Sequence, residues 1–135
     1  MEPTLTRPLA QLVAWGRVGI GVGAIVAPTL LARPWIGTEA DRPGSRLLAR
    51  TMGGRDLALG VGALRALGVS DAEARPWVAL GGMADAVDAL ATVLAFGTLP
   101  RRSRWGILAV TVGAAVVSTR VAEAMDPHEL DAAPI

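Results

Sequence analysis

The sequence predicts an all-α fold, a single domain of four transmembrane helices in an antiparallel bundle. Four apolar stretches are each long enough, at about 1.5 Å per helical residue, to cross a hydrocarbon core of about 30 Å. The loops between them are short and rich in proline, glycine and charge, so neighbouring helices are expected to run antiparallel. Three of the four tryptophans, Trp35, Trp77 and Trp105, stand at the ends of these stretches, where indole rings prefer the membrane interface, and Trp15 lies somewhat deeper. The predicted helices cover residues 9–31, 47–67, 77–97 and 105–125, and an acidic tail follows at 126–135.

Composition favours a membrane protein and excludes several other classes. The 135 residues allow one domain, and 52% of them are hydrophobic, while the 19% that are charged fall below the roughly 25% of soluble domains. All 13 basic residues are arginine and face 12 acidic ones, so a net charge of +1 indicates no basic surface for nucleic acid. Cysteine is absent, which excludes a disulfide-stapled domain, thiol chemistry and cysteine-ligated metals.

The first predicted helix, 9–31, is mostly apolar, with Arg17 as its one charged residue, and contains glycines at a regular spacing. Gly19 and Gly23 form a Gly-x-x-x-Gly pair, which lets helix backbones approach closely in a bilayer. Small residues recur at this four-residue spacing in the second and third predicted helices. The residues predicted to pack the helices together are Gly19, Gly23, Gly54, Ala58, Gly62, Gly82 and Ala86.

The second predicted helix, 47–67, is the least apolar because it contains four charged residues. A charge near the centre of a membrane helix costs about 2.5–3.5 kcal/mol on insertion scales. A soluble four-helix bundle is therefore the alternative fold. The fourth predicted helix disfavours that alternative, because Thr111 is the one polar side chain between residues 107 and 117, whereas a solvated helix needs a polar face.

The third predicted helix, 77–97, carries Asp85 and Asp88 three residues apart, which places both carboxylates on one helix face. Charges inside a membrane must be paired, and the chain offers three arginines for three aspartates. The balancing residues are Arg17, Arg55 and Arg120 against Asp56, Asp85 and Asp88. The predicted intramembrane charge network comprises Arg17, Arg50, Arg55, Asp56, Asp85, Asp88 and Arg120.

Three functions are open for this network. The first is a structural or accessory role, in which paired charges fix the helix packing and small-residue faces support a homo-oligomer or a membrane partner protein. The second is a small proton-coupled transporter that uses Asp85 and Asp88 as its relay. The third is a membrane-embedded site for a lipid or a small anionic ligand, held by Arg17 and Arg55.

Enzymatic chemistry is disfavoured, and no catalytic residue is predicted. His128 is the single histidine and lies in the tail, so a Ser-His-Asp arrangement has no base. Two carboxylates without histidine or cysteine bind metals weakly, so neither a metal site nor a cofactor is predicted. The arginine run at residues 101–104 is typical of a topology signal that contacts anionic lipid.

Arginines near the helix ends predict how the chain crosses a bacterial inner membrane. The loops after the first and third predicted helices hold six arginines, and the opposite side holds two or three. Positively charged loops stay in the cytoplasm, so both chain termini are expected outside. The six residues are Arg33, Arg42, Arg46, Arg101, Arg102 and Arg104.

A motif in the second predicted helix resembles one family of proteins. It reads Arg-Thr-Met-Gly-Gly-Arg-Asp at residues 50–56 and is followed by Gly60. It is similar to the Arg-x-x-Gly-x-Arg-Asp motif of small bacterial four-helix integral membrane proteins of actinobacterial type, and more broadly the chain resembles the DoxX-like membrane proteins. The resemblance implies a four-helix membrane fold and carries no activity with it.

Overall fold

The computed structural model describes residues 3–125 and shows helices with no strand in that range, which confirms the all-α prediction. Five α-helices follow one another, with a short 3-10 helix before the third. Their bounds are α1 Pro3–Val26, α2 Pro28–Ile36, the 3-10 helix Gly37–Asp41, α3 Pro43–Leu67, α4 Asp71–Leu94 and α5 Arg104–Ala124.

Three of these helices are long and apolar enough to cross a membrane. They comprise Leu5–Val26 within α1, Asp71–Leu94 and Arg104–Ala124. The third helix, α3, matches them in length with 25 residues, but its arginines and Asp56 lower its apolar character. The structure therefore shows three candidate spans rather than four, and α3 differs from them in composition, not in length.

The prediction of one continuous helix over 9–31 is wrong, because the helix is interrupted at Ala27. Pro28 has no N–H to donate and disfavours a helical conformation in the residue before it. Ala27 accordingly has a non-helical backbone, with φ −126° and ψ 61°. The chain then turns into α2 and the 3-10 helix, so most of the loop expected at 33–46 is helical.

The third predicted helix begins six residues earlier than expected, at Asp71 instead of residue 77. The Ser70 hydroxyl accepts a hydrogen bond from the Glu73 backbone N–H at 3.1 Å, which caps the first turn. Acidic Asp71 and Glu73 also suit the positive end of the helix dipole. The Ser-x-x-Glu pattern at 70–73 is a helix-start signal that sequence analysis could have used.

The α-helices α1, α3, α4 and α5 form an up-and-down bundle in which α1 and α3 make the most extensive contact. Gly21 lies against Leu57 and Gly53, and Gly60 lies against Ala14, so these two helices run antiparallel. At one end of the bundle, Arg7 of α1 reaches the turn between α3 and α4. Its guanidinium donates to the Asp71 carboxylate at 2.7 Å and to the Leu67 carbonyl at 2.5 Å.

Small residues fill the interior of the bundle, and large apolar side chains cover its outside. The core cluster is built largely from alanines, with a few larger residues such as Val121 and Met125. Leu12, Val26 and Leu94 are 69%, 74% and 80% exposed. An apolar surface of this extent is typical of contact with lipid and unfavourable in water, so the structure favours a membrane protein over the soluble alternative.

Two of the glycines that the spacing favoured, Gly19 and Gly54, do not form close helix contacts. A Cβ added to Gly19 or Gly54 would meet no atom of another part of the described chain within 4 Å. The contact between α1 and α3 is made instead by the adjacent helix faces, which contain Gly21 and Gly53. A Cβ on Gly53 would lie 2.8 Å from the Gly21 carbonyl oxygen, and one on Gly21 would lie 2.6 Å from the Leu57 nitrogen.

The other predicted packing residues divide into two groups. Gly23 contacts Leu31 of α2, Gly62 lies beneath the Trp77 ring, and Gly82 lies against α5. Ala58 and Ala86 are exposed on the outside of the bundle. The close contact between α1 and α3 therefore lies at Gly21 and Gly53, two residues from Gly19 and one residue from Gly54.

Candidate functional site: a buried charge cluster

Five charged side chains of α1, α3 and α4 meet inside the bundle, and we call them the charge cluster. Arg17 donates from Nη1 to Asp56 Oδ1 at 3.2 Å and from Nη2 to Asp85 Oδ2. Arg55 holds Asp88 with two parallel hydrogen bonds, of 2.7 Å from Nη2 and 3.1 Å from Nη1. Arg55 also contacts Asp56 Oδ1 at 3.2 Å. Each arginine thus binds two carboxylates, and Asp56 accepts from both arginines.

Helix geometry explains how these side chains reach one another. Asp85 and Asp88 are separated by nearly one helical turn, so both face α1 and α3. Arg17 crosses to α4 over Gly81, where an added Cβ would lie 2.7 Å from the guanidinium Nε. Because glycine has no Cβ, the guanidinium can lie directly against the α4 backbone.

The charge cluster is largely shielded by its neighbours. The Arg17 side chain is 10% exposed, and those of Asp56, Asp85 and Asp88 are 14%, 13% and 15% exposed. Arg55 is more open, at 32%. Charges with this degree of burial are stable only when paired, and the removal of one partner leaves an uncompensated ion.

Two arginines of the predicted network lie outside the charge cluster. Arg50 Nε donates to the Ile25 carbonyl at 3.2 Å, near the end of α1. Arg120 pairs with Glu123 at 3.4 Å on the exposed side of α5. Two arginines therefore face three aspartates, which corrects the expected balance of three against three. With all five residues ionised, the charge cluster carries a formal charge of −1.

Ser118 of α5 is a neighbour of the charge cluster that sequence analysis did not single out. Its hydroxyl lies 3.5 Å from Asp85 Oδ2, and the residue is 1% exposed. Thr111, seven residues earlier, is also buried on α5. A seven-residue spacing returns to the same helix face, so these two hydroxyl residues mark the buried face of α5.

The geometry bears on the ligands that the site could hold. No group of three or more histidine, cysteine, aspartate or glutamate side chains within residues 3–125 is arranged to hold a metal ion. The terminal nitrogens of Arg17 and Arg55 are engaged by carboxylates, which leaves them poorly placed to receive an anion. His128 and the acidic tail lie outside the described residues.

No protein-family model matches the chain, and no match was found among curated proteins or solved structures. The resemblance carried by the Arg-x-x-Gly-x-Arg-Asp motif therefore stays a prediction. The structure adds that Arg55 and Asp56 of this motif belong to the charge cluster, while Gly53 lies in the contact between α1 and α3.

Proposed function

We propose that the chain is a four-span protein of the bacterial inner membrane in which the charge cluster fixes α1, α3 and α4 together. Its role is structural or accessory, as a rigid helical unit for a homo-oligomer or a membrane partner. The observation that supports this proposal is the position of the α3 charges. Arg55 and Asp56 face counter-ions on α4 and α1 rather than the outside of the bundle.

The pairing accounts for how a helix as polar as α3 can lie within a membrane. With 25 residues it is about 37 Å long, and it packs antiparallel to the candidate span of α1. Arg55 and Asp56 would each cost about 2.5–3.5 kcal/mol in an isolated membrane helix. Counter-ions on the neighbouring helices offset this cost, as is usual for ions that face the interior of a membrane bundle.

The two other functions considered receive less support. An anion held by Arg17 and Arg55 would have to displace carboxylates from both guanidinium groups. A proton relay through Asp85 and Asp88 would have to break the same ion pairs, and it predicts pH-dependent flux in proteoliposomes that Asp85→Asn and Asp88→Asn abolish. Flux equal to that of empty liposomes would remove the relay from consideration.

The crossing of the membrane by α3 can be tested with single cysteines, since the natural chain has none. Thr38→Cys, Val69→Cys and Thr98→Cys place a thiol before α3, after α3 and after α4, at exposed positions. Four spans predict that Thr38→Cys and Thr98→Cys share one side of the membrane, with Val69→Cys on the other. The measurement is labelling by a membrane-impermeant maleimide in intact cells, compared with permeabilised cells.

The alternative topology gives a different labelling pattern. If α3 does not cross, Thr38→Cys and Val69→Cys share a side and Thr98→Cys lies opposite. With the termini outside, intact cells should label Val69→Cys and protect the other two positions. The inverse pattern would keep four spans and reverse the proposed orientation.

A further inference from the structure

A cavity of about 290 Å³ lies beside the charge cluster, between α1, α2, α3 and α4. Its walls are mostly apolar, with Leu31 and Trp35 on α2 and Ala49 and Met52 on α3. The α3 side of the wall follows one helix face from Ser45 onward, in steps of three and four residues. It extends about 16 Å along the helix, which is enough for an alkyl chain.

Negative charge bounds the inner end of this cavity. Asp56 and Asp88 are the two ionisable residues in its wall, and both belong to the charge cluster. The cluster holds one more carboxylate than guanidinium groups. Within the described chain, Asp56 Oδ2 accepts no hydrogen bond, because both arginines bind the other oxygen, Oδ1. The cavity thus combines an apolar body with an acceptor oxygen and an excess negative charge.

We propose that this cavity binds a lipophilic ammonium cation, with the alkyl body between α2 and α3 and the protonated amine against the Asp56 carboxylate. Such a ligand complements both parts of the cavity, because its chain is removed from water and its N–H groups donate to Asp56 Oδ2. It also brings the formal charge of the site to zero. The inference assigns a ligand class to the protein and goes beyond its proposed structural role.

The test is isothermal titration of the detergent-solubilised full chain with octylammonium, after subtraction of the heat measured with protein-free micelles. Octan-1-ol and octanoate carry the same chain with no charge or the opposite charge. We expect saturable one-to-one binding of octylammonium, with octan-1-ol at least about tenfold weaker and no saturable binding of octanoate.

Three variants separate this site from general association with the protein surface. Asp56→Asn removes the charge that faces the amine and should weaken octylammonium binding by at least about tenfold. Ala49→Phe fills the cavity, leaves every charge in place and should abolish binding. Asp71→Asn removes an exposed carboxylate that pairs with Arg7 at the end of the bundle, and it should bind as the natural chain does.

The opposite results are equally clear. Octan-1-ol binding as tightly as octylammonium would show that the cavity does not select for charge and would overturn the proposal. A proton held by the charge cluster in place of the cation would also give equal binding of the two ligands. Octylammonium binding that survives Ala49→Phe would place the ligand elsewhere. That variant does not alter the charge cluster, so it decides the question even where Asp56→Asn fails to fold.

Discussion

Replacing Arg17 with glutamine is expected to destabilise the protein more than any other single change in the charge cluster. Arg17 joins α1 to both α3 and α4, and it is the least exposed member of the cluster. Its loss leaves Arg55 alone against three carboxylates, with a formal charge of −2. Removing one partner of a buried ion pair costs about 3–5 kcal/mol. The measurement is the free energy of unfolding in a titration with SDS.

The formal charge of the cluster predicts an order among the related variants. Asp85→Asn leaves two arginines and two aspartates and should destabilise the protein less than Arg17→Gln. The double variant Arg17→Gln/Asp85→Asn should recover part of the stability, since it returns the formal charge to −1. Arg120→Gln is the control, because its ion pair with Glu123 is exposed and should contribute little.

Two results would contradict this account of the charge cluster. Unfolding of Arg17→Gln at the same SDS concentration as Arg120→Gln would show that the buried pairs do not hold the helices together. A larger loss of unfolding free energy in Asp85→Asn than in Arg17→Gln would contradict the excess of negative charge in the charge cluster. A lysine at position 17 should rescue only partly, since an ammonium group lacks the planar fork that reaches two carboxylates.

Gly53→Leu is expected to separate α1 from α3, whereas Gly54→Leu is expected to be tolerated. These adjacent residues lie on different faces of α3. A Cβ on Gly53 would lie 2.8 Å from the Gly21 carbonyl and 2.9 Å from Ala24 Cβ, while one on Gly54 would meet open space. Overpacking of this kind costs about 1–3 kcal/mol or more. Gly54→Leu should be neutral or stabilising, since leucine favours helix by about 0.5–1 kcal/mol over glycine.

The same SDS titration measures both leucine variants, and they form a matched pair in composition and depth. Equal stability of the two variants would show that the α1–α3 contact is looser than the structure has it. A larger loss of unfolding free energy in Gly54→Leu would show that α3 packs through the face of Gly54, as the four-residue spacing of small residues first predicted.

The sequence predicted the helical class, and the predicted charge network included all five members of the charge cluster together with Arg50 and Arg120. A long apolar stretch is identified as a helix even when its predicted ends are off by a few residues, because many side chains contribute to the assignment of a helix of about 20 residues. Paired charges are also recognisable, since Asp85 and Asp88 share a face at i and i+3 and buried ions need partners. The separation of Arg17, Arg55 and Asp56 from the outlying Arg50 and Arg120 required the structure.

The two predictions that the structure corrects, the unbroken first helix and the packing face of α3, were wrong for physical reasons. Pro28 breaks the first predicted helix at Ala27, because proline has no N–H and disfavours helical backbone in the residue before it. The choice between Gly53 and Gly54 depends on a rotation of about 100° around α3, and a four-residue spacing of small residues occurs on both faces. The rotation is set by contacts between distant parts of the chain, which a local pattern does not contain.

The ion pair between Arg55 and Asp88 also has a consequence for how the chain is made. The two residues are 33 positions apart, so ribosomes translating about 5–20 residues per second need seconds to add the second after the first. During that interval Arg17 and Asp56 already exist, but Arg55 has no partner on α4. If α3 crosses the membrane as proposed, Arg55 emerges at the insertion machinery before the α4 residue that neutralises it. We expect α3 to leave that machinery together with α4, as a hairpin, rather than alone.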